Sequence, residues 1–107
     1  MTRLMFLRRL WYNNQYRKYR NKIIDLKFRI DYLHGLEAVR IHPVTVVRLK
    51  AISCRLKKAS VVNERLHVAN RMGVDRHIRN GYRSELKIRL RSVNNSLMKI
   101  ELSTKQG

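Results

Sequence analysis

Apolar side chains recur along this chain at helical spacing. Tyr12, Tyr16, Tyr19, Ile23, Leu26, Ile30 and Leu33 follow one another at alternating intervals of four and three, which places them on one face of an α-helix. The series extends back to Met5 with Arg9 as an interruption, and over that length it is a heptad seam. It predicts a first helix over about 2–34, roughly 45–50 Å long at 1.5 Å per residue, stopped at Gly35.

A second series, Val46, Leu49, Ile52, Leu56, Ala59, Val62, Leu66 and Ala69, recurs at spacings of three and four and predicts a second helix over about 43–72. Pro43 suits its first position, where the missing N–H would have no partner in any case, and Gly73 suits its end. The β-branched run Val44, Thr45, Val46 and Val47 weakens the helix start, so residues 39–47 could instead be extended. Two helices of similar length joined by the connector 35–42 predict a long antiparallel hairpin.

The last third is less regular. Asp75 can cap a short turn reaching Arg79, and Asn80-Gly81 is a strong breaker. Leu86, Leu90, Val93, Leu97 and Ile100 then predict a shorter third helix over about 84–102, with 103–107 frayed. Leu86 to Arg91 also alternates apolar and charged residues as a strand would, but no second strand offers to pair with it. The expected fold class is all-α, one basic helical domain over 1–107. A domain this small buries a modest share of its surface, so a homodimeric bundle is expected.

Charge changes this picture from a fold to a partner. Lys and Arg number 25 against 7 Asp and Glu, a net +18, and the excess runs from Arg3 to Lys105 with no single tail holding it. Hydrophobic residues make up 44% of the chain, too many for a disordered polybasic segment, so the cations form faces on a folded body. A polyanion is the partner best placed to neutralise them. Arg8, Lys22 and Arg29 flank one edge of the first seam and Arg20, Lys27 and His34 the other. A coiled coil of this helix with its own copy would therefore set cation against cation.

Phosphate rows on either side of a nucleic-acid groove match cations along both edges of a helix pair. The candidate nucleic-acid-binding residues are Arg17, Lys18, Arg20, Lys22 and Arg29 on the first helix, with Arg48, Arg55, Lys57, Lys58 and Arg65 on the second. A single-strand binder needs exposed stacking platforms. Tyr12, Tyr16 and Tyr19 lie in the seam, and Phe28 and Tyr32, isolated from other aromatics, are expected in the core. Duplex or structured RNA is thus the expected target, bound through phosphates and largely without regard to sequence; DNA is the alternative. In shape and charge this architecture is similar to small helical duplex-RNA-binding proteins that some viruses use against RNA silencing, and to basic helical ribosomal proteins, without a shared motif.

Enzymatic readings find little support. Glycines at 35, 73, 81 and 107 build no phosphate-cradling loop. Glu64 and His67 have the Glu-x-x-His spacing of helical di-metal sites, but the unit occurs once, and such sites need a second copy and further carboxylates, so no metal or cofactor is expected. Cys54, the 1 cysteine, lies beside the second stripe, where a small buried hydrophobe is expected, and it fits a reducing compartment. The basic stretch before Asp25 superficially suits a mitochondrial presequence, but it lacks Ser and its apolar pattern continues unbroken. A cytoplasmic protein is expected, with a mitochondrial one as the alternative. The apolar run Leu4 to Leu7 is too short to span a membrane. Other readings are a basic subunit of a ribonucleoprotein or other large assembly, or a membrane-surface protein using Leu4, Phe6, Leu7, Leu10 and Trp11 on its first helix.

Overall fold

The computed structural model describes residues 3–106. They form α1 (Arg3–Gly35), α2 (Glu37–Arg40), α3 (Pro43–Met72) and α4 (Arg76–Gln106), with no strand among the described residues. Thr2 and Gly107, at the two ends of the expected helix and tail, lie outside them.

The first connector is a break in backbone direction with one helical turn inside it. Gly35 is followed by Leu36 in an extended conformation (φ −75°, ψ 131°), and α2 then places Val39, 2% exposed, against the core. His42 is extended (φ −110°, ψ 98°) and Pro43 opens α3. Residues 39–47 are otherwise helical, contrary to the extended alternative. Pro43 presets the first φ, and the apolar stripe beginning at Val46 and Leu49 outweighs the small propensity penalty of the β-branched run.

The second connector is tighter. Gly73 adopts the left-handed conformation (φ 66°, ψ 34°), and its N–H and that of Val74 donate to the Ala69 carbonyl. This satisfies a carbonyl left open at the helix end. Asp75 Oδ1 then accepts the His77 N–H at 2.8 Å, capping α4.

α4 is the main departure from expectation. It is 31 residues long, comparable with the 33 of α1 and 30 of α3, and it begins at Arg76 instead of Ser84. Asn80-Gly81 lies inside it. A glycine in a helix interior costs about 1 kcal/mol relative to alanine. Three neighbours offset that cost: Arg79 donates to the Tyr12 hydroxyl at 2.8 Å, Tyr82 packs on the core and Arg83 lies over the Trp11 ring. At the other end Thr104 Oγ1 donates to the Ile100 carbonyl at 2.8 Å, and the helix continues to Gln106 where fraying was expected. The strand reading of Leu86 to Arg91 is likewise overturned, because Leu86, Leu90, Val93, Leu97 and Ile100 are all buried at helical spacing.

The core joins Tyr19, Leu26, Ile30 and Leu33 of α1, Leu49, Ile52, Leu56, Ala59, Val62 and Leu66 of α3, and those α4 residues. α3 packs along both long neighbours, while α1 and α4 touch each other sparingly. Tyr12 meets Arg79 and Arg29 meets Asn94 and Glu101, so α1 and α4 run the same way with α3 reversed between them. The array measures 58 × 21 × 16 Å. Phe28 and Tyr32 are 70% and 69% exposed, and Cys54 is exposed as well, against the expectation that all three are buried. Phe28 and Tyr32, four apart, lie on the side of α1 opposite its seam, and Cys54 lies opposite the α3 seam.

The two glycines at the α3–α4 end have opposite conformational needs. Gly73→Ala should destabilise the fold by about 1–2 kcal/mol, because its φ is positive. Gly81→Ala should stabilise it by about 0.5–1 kcal/mol, since nothing lies within 4 Å of the added carbon and the backbone is helical. Chemical denaturation of the two variants beside the parent checks the signs; a destabilising Gly81→Ala would mean the helix is interrupted there.

Candidate nucleic-acid interface

Because α1 and α4 each give their apolar stripe to α3, they diverge on the far side and leave a cleft of about 600 Å³. Its floor is Tyr19, Leu26 and Leu90; its walls carry Lys18, Lys22 and Arg29 from α1 and Lys87 and Arg91 from α4. Asp25 is the one carboxylate in the lining.

On α4 these cations belong to a longer series. Arg79, Arg83, Lys87 and Arg91 recur every fourth residue, which stacks like charges on neighbouring positions and costs roughly 0.2–0.5 kcal/mol per pair in an isolated helix. Arg79 Nε and Arg83 Nε are both buried with no hydrogen-bond partner. Their other contacts are neutral: Arg79 with the Tyr12 hydroxyl, Arg83 with Asn80 Oδ1 at 2.9 Å and with the Trp11 ring at 5.5 Å. Among the described residues the ion pairs are Arg29–Glu101 and Arg89–Glu85. No member of the series therefore forms an ion pair with a described residue, and Asp25 is the one carboxylate in the cleft it borders.

Arg29 differs from the other cleft cations. It donates through Nε to Glu101 at 3.2 Å, through Nη2 to the second Glu101 oxygen, and through Nη1 to Asn94 Oδ1 at 2.8 Å. The Glu101 hydrogen bonds raise its proton affinity, and burial opposes them. Arg29 thus braces α1 on α4 and sets the lower end of the cleft. Lys22 extends over the Tyr19 ring, 5.7 Å from its centroid. Burial pushes the Tyr19 phenol above its usual range, with the Arg83 charge pulling the other way.

No family model, curated protein or solved structure matches the chain. The arrangement of its own side chains is what distinguishes one surface from another.

The sequence-predicted residues separate into three groups. Lys18, Lys22 and Arg29 meet in the α1–α4 cleft. Arg48 and Arg55 line a second cleft of about 650 Å³ between α3 and α4, together with His42, Thr45, Ser96, Lys99 and Thr104; Arg55 Nη1 also donates to Ser92 Oγ at 2.9 Å. Arg17, Arg20, Lys57, Lys58 and Arg65 are exposed and line neither cleft. The sequence-predicted set does not include Arg79, Arg83, Lys87, Arg91 or Lys99; of these, Lys87, Arg91 and Lys99 are visible in the sequence as excess charge in the last segment. The four-residue spacing of the first four was a usable signal, but it crosses the Asn80-Gly81 pair, where a break was expected.

The Glu-x-x-His pair has a structural task. Glu64 accepts the Tyr16 hydroxyl, and His67 stacks on the Tyr16 ring at 4.3 Å and 27°. Among the described residues no three His, Cys, Asp or Glu side chains converge as a metal site would require. The Glu64 hydrogen bond, aided by burial, pushes the Tyr16 phenol up as well.

These two phenols give a pH signature. A raised folded-state pKa means that their stabilising contribution is intact below the ordinary tyrosine value of about 10 and is lost as pH rises through the raised value. Tyrosinate absorbance should therefore show Tyr16 and Tyr19 titrating above the ordinary tyrosine value, with melting temperature falling over the same alkaline range. Tyr16→Phe should remove one late-titrating group; an unchanged late phase in both Tyr16→Phe and Tyr19→Phe would contradict the assignment.

Proposed function

We propose that this protein is a non-enzymatic RNA-binding protein that grips the phosphates of duplex or structured RNA through the α1–α4 cleft, largely without regard to base sequence. One observation carries this reading: Lys87 and Arg91 share the cleft with Lys18 and Lys22, Arg79 and Arg83 continue the same row along α4, and no member of the row forms an ion pair with a described residue. The row covers about 18 Å along α4. Bringing like charges together costs folding free energy, and a polyphosphate returns it by neutralising them and releasing its own condensed counterions. The cleft offers donors to phosphate and little with which to read a base edge, so contacts position the RNA without specifying it. An exposed, unpaired Cys54 fits the reducing cytoplasm.

A second reading, a basic subunit of a larger ribonucleoprotein, is favoured by the outer face of α3. Val44, Val47, Ala51, Cys54, Val61, Val68 and Met72 keep a three-and-four spacing there, broken by Lys58 and Arg65, and all are exposed. An exposed apolar stripe running the length of a helix is normally covered by a partner. The accessible surface, 8053 Å², also exceeds the roughly 6,300 Å² of a compact monomer of this mass. A homodimer would use the same stripe, but antiparallel self-pairing about its midpoint sets Lys58 against Lys58. Sedimentation equilibrium should find a monomer; a dimer would return the homodimer to first place.

RNA affinity should fall steeply with salt. Six neutralised phosphates give a log-log slope near about −5. Lys87→Glu combined with Arg91→Glu should weaken binding at least about tenfold, a loss of ~1.4 kcal/mol, with helicity unchanged. Fluorescence anisotropy with a duplex RNA checks both; a flat salt titration, or an unaffected double variant, would remove the cleft as the binding site.

A further inference from the structure

The first turns of α1 overhang the helical array. Tyr12 is level with Arg79 and Trp11 with Arg83, close to the start of α4 at Arg76, and Tyr16 is level with Glu64 and His67, close to the end of α3 at Met72. Residues ahead of Leu10 therefore reach past the ends of both neighbours. In this arm and at its root, Leu4, Phe6, Leu7, Leu10 and Trp11 are between 43% and 60% exposed.

Two properties of the arm define what can cover it. At about 100° per residue, Leu4, Leu7 and Trp11 share one side of the helix and Phe6 and Leu10 the adjoining side, an arc of about 160°, so a groove that accepts a narrow stripe would leave part of the set in water. A fluid apolar phase accepts all of it. The polar residues interleaved with them are Arg3, Arg8 and Arg9, and no Asp or Glu occurs before Asp25. Long arginine stems can lie along hydrocarbon while their heads reach phosphate, and an indole suits the boundary between the two. Among the described residues no helix is long and apolar enough to cross a membrane. A second copy is a poor occupant, because its arm brings the same arginines.

We infer that the α1 arm inserts shallowly into the surface of a bilayer containing anionic lipid, with Leu4, Phe6, Leu7 and Leu10 in the acyl boundary and Arg3, Arg8 and Arg9 at the headgroups. This membrane contact does not rest on the RNA reading: Leu4, Phe6, Leu7 and Leu10 lie outside the cleft lining, and only Trp11 at the root of the arm touches the cationic row, through Arg83. Apolar area and anionic attraction act together in such anchoring.

Trp11 is the only tryptophan and sits at the inner end of the arm, so it reports the contact directly. Vesicles of phosphatidylcholine with phosphatidylserine should shift its emission to the blue, and bromine atoms placed high on the acyl chains should quench it. Phosphatidylcholine alone should do far less. Phe6→Ser with Leu7→Ser should lower partitioning at least about tenfold, while circular dichroism and thermal melting stay as in the parent, because neither side chain belongs to the core. Quenching in the parent reads the same contact should the variant fold poorly. Cosedimentation with vesicles while Trp11 remains water-exposed would mean adsorption through cations elsewhere and would overturn the inference. So would a blue shift that appears without lipid as protein concentration rises, or one produced by duplex RNA and not by anionic vesicles.

Discussion

The structure depends on burial of one helix from two sides. α1 and α4 each carry a single apolar stripe, and neither stripe can be covered by the other helix, because the two diverge. Both are covered by α3, whose Leu49, Ile52, Leu56, Ala59 and Leu66 are at most 4% exposed. Ala59, fully buried, is small enough to let neighbouring backbones approach. Asn63 is also buried there, and its amide donates to the Tyr16 carbonyl at 3.4 Å, a polar contact that favours one axial register of α1 on α3 over neighbouring ones. Removing α3 from this arrangement would leave two amphipathic helices with cations on their remaining faces, joined only by polar contacts such as Arg29 with Glu101 and Asn94.

That constraint explains the electrostatics. Lys18 and Lys22 are brought to Lys87 and Arg91 by burial of the apolar stripes that these cations border, and the charges oppose the approach. Only two ion pairs form among the described residues, and both pairs are about a third exposed or more, so neither contributes more than a modest fraction of the stability. Self-repulsion is a standing load on the fold, relieved by any multivalent anion that reaches the cleft. An anion bound in the cleft would therefore be linked to stability through the same side chains.

Most of the core was legible from spacing. The stripes through Leu26, Ile30 and Leu33, through Leu49 to Leu66, and through Leu86 to Ile100 are the buried residues, because a helix that must cover one face writes that face into its sequence every three or four positions. Local rules failed where tertiary contact overrode them. Asn80-Gly81 reads as a break, yet Arg79, Tyr82 and Arg83 are anchored on either side of it. Phe28 and Tyr32 are apolar enough for a core but lie on the wrong side of α1. The candidate cleft was legible only in halves: each helix shows its cations, but which cations face one another depends on both helices choosing α3 and on the direction each chain segment takes, information that no single helix contains.

The connectors also determine the order in which the parts become available to one another. α3 and α4 are separated by three residues, Gly73, Val74 and Asp75, a short loop whose ends lie close together, whereas α1 reaches α3 through the longer path containing α2. During synthesis at ~5–20 residues per second, about two to seven seconds pass between completion of α1 and completion of α3. For that interval α1 is a newborn basic helix whose seam has no cover, since α4, its other neighbour, is made later still. Ribosomal RNA is the polyanion nearest to it at that moment, and α3 must displace any such contact to reach the seam.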